Sequence, residues 1–199
     1  MTNEILGGFT IVLPPGWIRL AVDDTTDESF TKLIAQLASA APPERRIRLR
    51  RLMQSTADAA LASARERGAT DLIVSFATVD GLPIPVSIVV LPLPEPPTGR
   101  SPDEHLVALA RPGSRVIEVD SVAAIRRTQD APGESEALPH RSVNYILRHP
   151  HTRRWMLFSA SILMTDDEDY AEVLDALEIL VDAIMSTVQL TAVSPVAPA

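Results

Sequence analysis

The chain contains no cysteine. That absence excludes a disulfide framework, a thiolate metal site and a cysteine nucleophile. Glycine is scarce as well, with 8 in 199 residues. None forms a Gly-x-Gly-x-x-Gly or Walker pattern, so no phosphate-cradling loop is encoded. Aromatic residues make up only 4%, which leaves Leu, Ile, Val and Ala to pack the interior. No window approaches the ~18 uninterrupted apolar residues of a membrane-crossing helix. The first residues, MTNEILGGFTIVLPPGW, lack a basic stretch followed by an apolar one, the mark of a cleaved secretion signal. The expectation is a cytoplasmic protein without a membrane partner.

The composition that remains is that of a globular protein, 46% hydrophobic and 22% charged. One domain over residues 1–190 is expected, followed by a disordered tail over 191–199. The 17 prolines punctuate the chain. Residues 9–13 read as a strand, Pro14-Pro15-Gly16 as a tight turn and residues 17–22 as a second strand, which together suggest a hairpin. Thr25-Thr26-Asp27-Glu28 is a capping box opening a helix to about residue 41. Pro42-Pro43 ends it and seeds a second helix over 44–67, stopped by Gly68.

Strands follow over 71–79 and 86–91, with an Asp80-Gly81 turn between them. The prolines at 92, 94, 96 and 97 predict an extended connector. Ser101-Pro102-Asp103-Glu104 opens a short helix to about 110. Strands are expected over 115–119, 123–128, 142–148 and 154–163, with a loop over 129–139. Thr165-Asp166-Asp167-Glu168 caps the last helix, to about residue 189, whose stripe is Tyr170, Val173, Leu174, Leu177, Val181, Ile184 and Val188. Strands in runs, joined by short turns, predict an α+β domain with a largely antiparallel sheet packed by helices.

A first strand running into Leu13-Pro14-Pro15-Gly16-Trp17 resembles the opening of PsbP/Mog-type α/β/α sandwich proteins. The early helices, meandering sheet and final packing helix are similar too. The resemblance extends to an uncharacterised actinobacterial cytoplasmic branch. It implies binding or scaffolding rather than a shared catalytic constellation. Members include adaptor chaperones of secretion effectors.

Candidate chemistry is sparse. His149 and His151 flank Pro150 beside Arg148, Arg153 and Arg154. Cationic neighbours oppose a metal, so a solvated turn is expected and no metal site is assigned. No Gly-x-Ser-x-Gly elbow or triad spacing occurs. The carboxylates at Asp23-Asp24 and Asp166–Asp169 suit helix approaches, where they meet the helix dipole. Pro94-x-x-Pro97 reads as a stiff loop. No catalytic residue and no cofactor are assigned.

Charge is segregated. Residues 1–154 hold 18 acidic and 18 basic side chains, whereas residues 155–199 hold 8 acidic and none basic. Against that stands Arg45-Arg46-Ile47-Arg48-Leu49-Arg50-Arg51. On a helix its arginines scatter around the axis, which argues against nucleic-acid binding. A basic turn and an acidic helix could meet, within one chain or across a homodimer. The interaction surface then comprises Arg45, Arg48 and Arg51 with Asp175, Glu178 and Asp182. The functional expectation is a non-enzymatic binding protein, an adaptor or chaperone-like module with a protein partner, in keeping with a secretion-associated role. The alternative is a small hydrolase assembled from dispersed polar residues.

Overall fold

A computed structural model describes residues 8–23, 31–32, 34–35, 47, 61–79, 82–96, 99–131, 139–164 and 170–192. Eleven strands and two complete helices are delimited among them. The strands β1 (Gly8–Thr10), β2 (Trp17–Ala21), β3 (Asp71–Ser75), β4 (Thr78–Val79), β5 (Leu82–Pro83) and β6 (Val86–Leu93) precede helix α1 (Pro102–Leu109). Then come β7 (Arg115–Val119), β8 (Val122–Ala131), β9 (His140–Arg148), β10 (Trp155–Leu163), helix α2 (Tyr170–Met185) and β11 (Gln189–Thr191). Residues 31–32, 34–35, 47 and 61–66 are also helical.

Seven strands form one sheet in the order β2-β3-β6-β10-β9-β8-β7, antiparallel at every junction. Their side chains alternate between two covered faces. On one, Ile73, Ile88, Val90, Val143, Tyr145, Leu147, Phe158 and Ala160 pack against Leu174, Leu177, Val181 and Ile184 of α2. On the other, Leu72, Val74, Val89 and Leu91 meet Ile34, Leu61 and Ala64, while Leu106 of α1 covers Ile125 and Trp155. Helices therefore flank both faces of a mixed α+β fold.

Several helix ends follow the sequence signals. Ser101 accepts from the Glu104 N–H at 3.2 Å and Glu104 accepts from the Ser101 N–H at 2.8 Å, completing the capping box of α1. Gly68, at φ 70°, ends the helix over 61–66. Its N–H bonds the Arg65 carbonyl and the Ala69 N–H bonds that of Ala64, a Schellman closure. The capping boxes at Thr25 and Thr165, and most of the helices over 25–41 and 44–67, lie outside the described residues.

Other expectations are corrected. The first two strands do not form a hairpin: β2 pairs with β3, and β1 pairs with β11 at the far end of the chain. Phe9 is the reason, because its ring is buried edge-on against Phe158 with centroids 5.1 Å apart, over the α2-covered face. Arg19 fastens β1 there, donating to the Phe9 carbonyl at 2.7 Å and lying 3.6 Å from the Phe9 ring centroid. A side chain at Gly8 would strike Thr191 Oγ1 at 2.7 Å, so glycine admits the close approach.

The last helix ends at Met185 rather than near 189. Ser186 and Thr187 turn their hydroxyls back onto the Ala183 and Ile184 carbonyls, which frees the chain to form β11. Residue 191 is thus part of a paired strand, not of a loose tail; residues 193–199 lie outside the described set. Pro92 sits inside β6 instead of starting the connector. It is tolerated because β3 pairs with β6 only as far as Val90, leaving that edge without a ladder partner. The expected loop over 129–139 is shortened at its start, since β8 runs to Ala131, and the strand expected from 142 begins two residues earlier, at His140.

Candidate functional site

Among the described residues a network of charged and polar side chains lies where α2 crosses β8 and β9. Alternation places Arg126, Thr128 and Asp130 of β8 on the α2-covered face, opposite Tyr145, Val143 and Arg141 of β9 respectively. Asp175, Glu178 and Asp182 of α2, spaced three and four residues apart, share one helical side and descend onto these groups. Arg126 clamps Asp182 in a fork, at 2.7 and 3.0 Å, and reaches Glu178 at 2.5 Å. Thr128 also donates to Glu178, at 3.0 Å. Arg141 forks onto Asp130 at 2.7 and 3.1 Å and touches Asp175 and Glu178 at 3.3 Å. The buried Tyr145 hydroxyl donates to Asp182.

Proton affinities follow from this packing. Burial works against the Glu178 charge, but the hydrogen bonds from Arg126 and Thr128 outweigh it and hold its carboxyl below the usual glutamate value. Arg141 holds the Asp130 carboxyl down in the same way. Burial first, then the bond to ionised Asp182, pushes the Tyr145 phenol well above its ordinary value. A Tyr170→Phe variant leaves Tyr145 as the sole remaining tyrosine of two. Its alkaline titration, followed by phenolate absorbance, is expected to show nothing at the ordinary pKa of ~10, with ionisation appearing only on unfolding.

Beside this cluster a cleft of about 290 Å³ opens between β7 and the end of α2, lined by Arg115, Ile117, Glu118, Arg126, Tyr145, Asp182, Met185 and Ser186 among others. The Asp182 carboxylate in its wall is already engaged by Arg126 and Tyr145. A cation entering there would have to displace a guanidinium. Arg115 and Glu118 at the rim have no charged or hydrogen-bonding side-chain partner among the described residues.

Of the residues expected to form an interaction surface, Asp175, Glu178 and Asp182 come together, but their visible counter-charges are Arg126 and Arg141 of the sheet. Arg45, Arg48 and Arg51 lie outside the described residues. Arg126, Arg141 and Tyr145 escaped the sequence reading. Their signal was the period-two recurrence Arg126-x-Thr128-x-Asp130 on a strand, a polar stripe where an apolar one would normally face a helix.

His149 is the clearest correction. The turn it occupies was expected to be solvated, yet its side chain is 0% exposed. Nδ1 accepts from the backbone N–H groups of His151 and Thr152, both at 3.2 Å. The ring proton therefore sits on Nε2, which donates to the Gly8 carbonyl at 3.1 Å. Desolvated backbone groups needed a partner, and the imidazole supplies three bonds at once.

No protein-family model matches the chain, and no curated protein sequence matches it. Among the described residues no helix is long and apolar enough to cross a membrane.

Proposed function

We propose that this protein is a non-enzymatic binding module, adaptor or chaperone-like in action, with a PsbP/Mog-type α/β/α fold, and that it receives an extended polypeptide segment along β7. The layering of helices on both sides of an antiparallel sheet supports the fold assignment. The observation that carries the function is the β7 edge. β7 is the last strand of the seven-stranded sheet, with β8 on one side and no strand beyond it among the described residues. Val116, on this strand, is 74% exposed, and so is Val107 on α1, which packs over the same sheet face. Exposed strand edges bind by adding a strand, with backbone hydrogen bonds supplying affinity and alternate side chains supplying selectivity. Here the alternate positions meet the valines on one face and the cleft beside Arg115 on the other.

The test compares proteins captured from the native host by the wild type and by a Val107→Glu/Val116→Glu variant. Both sites are exposed, so folding is expected to be unaffected. A specific partner retained by the wild type and lost by the variant supports the proposal. Equal capture by both overturns it.

A further inference from the structure

Strand β7 carries an unmatched charge on each face of the sheet. Its register sets Arg115 opposite Arg126, Val116 opposite Ile125, Ile117 opposite Ala124 and Glu118 opposite Ala123. Opposed residues of an antiparallel pair share a face, so Arg115 and Ile117 lie on the α2 side with Arg126. Val116 and Glu118 lie on the other side, where α1 covers Ile125. Two arginines directly across from one another repel. Arg126 is relieved by Glu178 and Asp182, with which it forms close ion pairs. Arg115 is exposed and has no such counter-charge among the described residues. Glu118, exposed as well, faces only an alanine across the strand pair. Between these two charges stand Val116, 74% exposed, and Ile117, half-buried at the cleft.

A strand added at this edge meets the four side chains in turn. Every junction of the seven-stranded sheet is antiparallel, and continuing that habit sets the order of contact. Read from its own N-terminus, the added segment passes Glu118, Ile117, Val116 and then Arg115. We infer that the segment received along β7 carries, in consecutive positions, a basic residue, two apolar residues and an acidic residue. The basic residue pairs with Glu118 on the α1 side, and the acidic one with Arg115 beside the cleft. The assignment rests on β7 being a polypeptide-binding edge, as proposed above, and adds the chemistry of the occupant.

Charge decides against a second copy of β7 in that role. Two antiparallel copies keep their faces continuous, so only residues of like face stand opposite each other. Arg115 and Glu118 project to unlike faces and therefore never meet across such a junction. A pair centred on Ile117 sets Glu118 against Val116 and Arg115 against Val119, which leaves all four charges unmatched.

The test measures binding of two dye-labelled peptides to the full chain by fluorescence anisotropy at ~0.05 M salt, where surface charges are weakly screened. One peptide contains Thr-Lys-Leu-Val-Glu, the other its charge-exchanged form, Thr-Glu-Leu-Val-Lys. The wild type is expected to bind the first about tenfold more tightly, since two attractive cross-strand pairs replace two repulsive ones. Arg115→Glu/Glu118→Lys should reverse the preference, with near-ultraviolet circular dichroism checking that the variant is folded. A preference unchanged in that variant overturns the inference. Equal affinity for both peptides, abolished by Val107→Glu/Val116→Glu, overturns it while leaving the edge reading intact. Peptide affinity that survives the valine substitutions overturns both. If neither peptide binds at millimolar concentration the inference fails, and valine-dependent capture of a host partner would still uphold the edge.

Discussion

Replacing His149 with alanine is expected to destabilise the protein by about 3 kcal/mol, read as a lowered urea midpoint with an unchanged slope. Three backbone groups lose their partners together: the N–H groups of His151 and Thr152 and the carbonyl of Gly8. Each buried group left unpaired costs ~1–3 kcal/mol, and the missing ring adds a cavity. The substitution also cuts the tie between the β9–β10 hairpin and β1. Backbone bonds from His149 N–H to the Arg154 carbonyl and from Arg153 N–H to the His149 carbonyl, both 2.8 Å, close the hairpin around the side chain. Hydrogen exchange at β1 and β11 should therefore accelerate more than exchange in β6. His149→Phe restores bulk without bonds and is expected to be no better than alanine. His151→Ala, at an exposed site, should change stability by less than ~0.5 kcal/mol. If His149→Phe were as stable as wild type, packing rather than hydrogen bonding would be the role of the ring.

Replacing Arg126 with methionine is expected to cost about 3 kcal/mol, because the sheet then presents Glu178 and Asp182 with no guanidinium between them. Arg126→Lys should recover only part of this, since an ammonium cannot fork onto Asp182 while also reaching Glu178 and Thr128. The pH dependence separates lost charge pairing from lost packing. In the wild type the folded-state affinities of Glu178 and Asp130 for protons are depressed. Their stabilisation is present above the unfolded carboxylate value of ~4 and is lost as pH falls through the lower folded values. Without Arg126, burial of Glu178 acts with less opposition and its folded pKa moves upward. The variant then gains from protonation where the wild type loses. The gap between their urea midpoints should narrow as pH is lowered from 7 toward ~4. A gap that stays constant across this range would show that the cost of the substitution is steric.

These two sites also mark how far the sequence could be read. Local structure was largely legible. The Ser101 capping box, the Gly68 helix stop and the alternation of Trp17 and Arg19 against Ile18 and Leu20 all depend on backbone geometry over a few residues, and all appear in the fold. Asp120 was read as a break between strands. It is the first of two residues at positive φ, 49° and 60°, which return β7 into β8, and its carboxylate accepts from the Leu190 N–H at 2.7 Å. The turn was visible in the sequence; the bond to β11 was not. Val173 was counted in the buried stripe of the last helix and is instead half exposed, because the stripe that meets the sheet is centred on Leu174, Leu177 and Val181.

By itself the sequence determined the α+β class, the antiparallel habit of its strand runs, and the confinement of net negative charge to the chain beyond Arg154. Periodicity and end signals suffice for these, since they report how each segment's own backbone turns and which side of it is apolar. Only the tertiary structure decided that β1 pairs with β11, that His149 is buried beneath the first strand, and that Glu178 and Asp182 answer to Arg126. Each of these joins residues about fifty to one hundred and eighty positions apart. Such pairings are selected by which desolvated groups can satisfy one another once the layers have packed, a condition that no short window of sequence expresses.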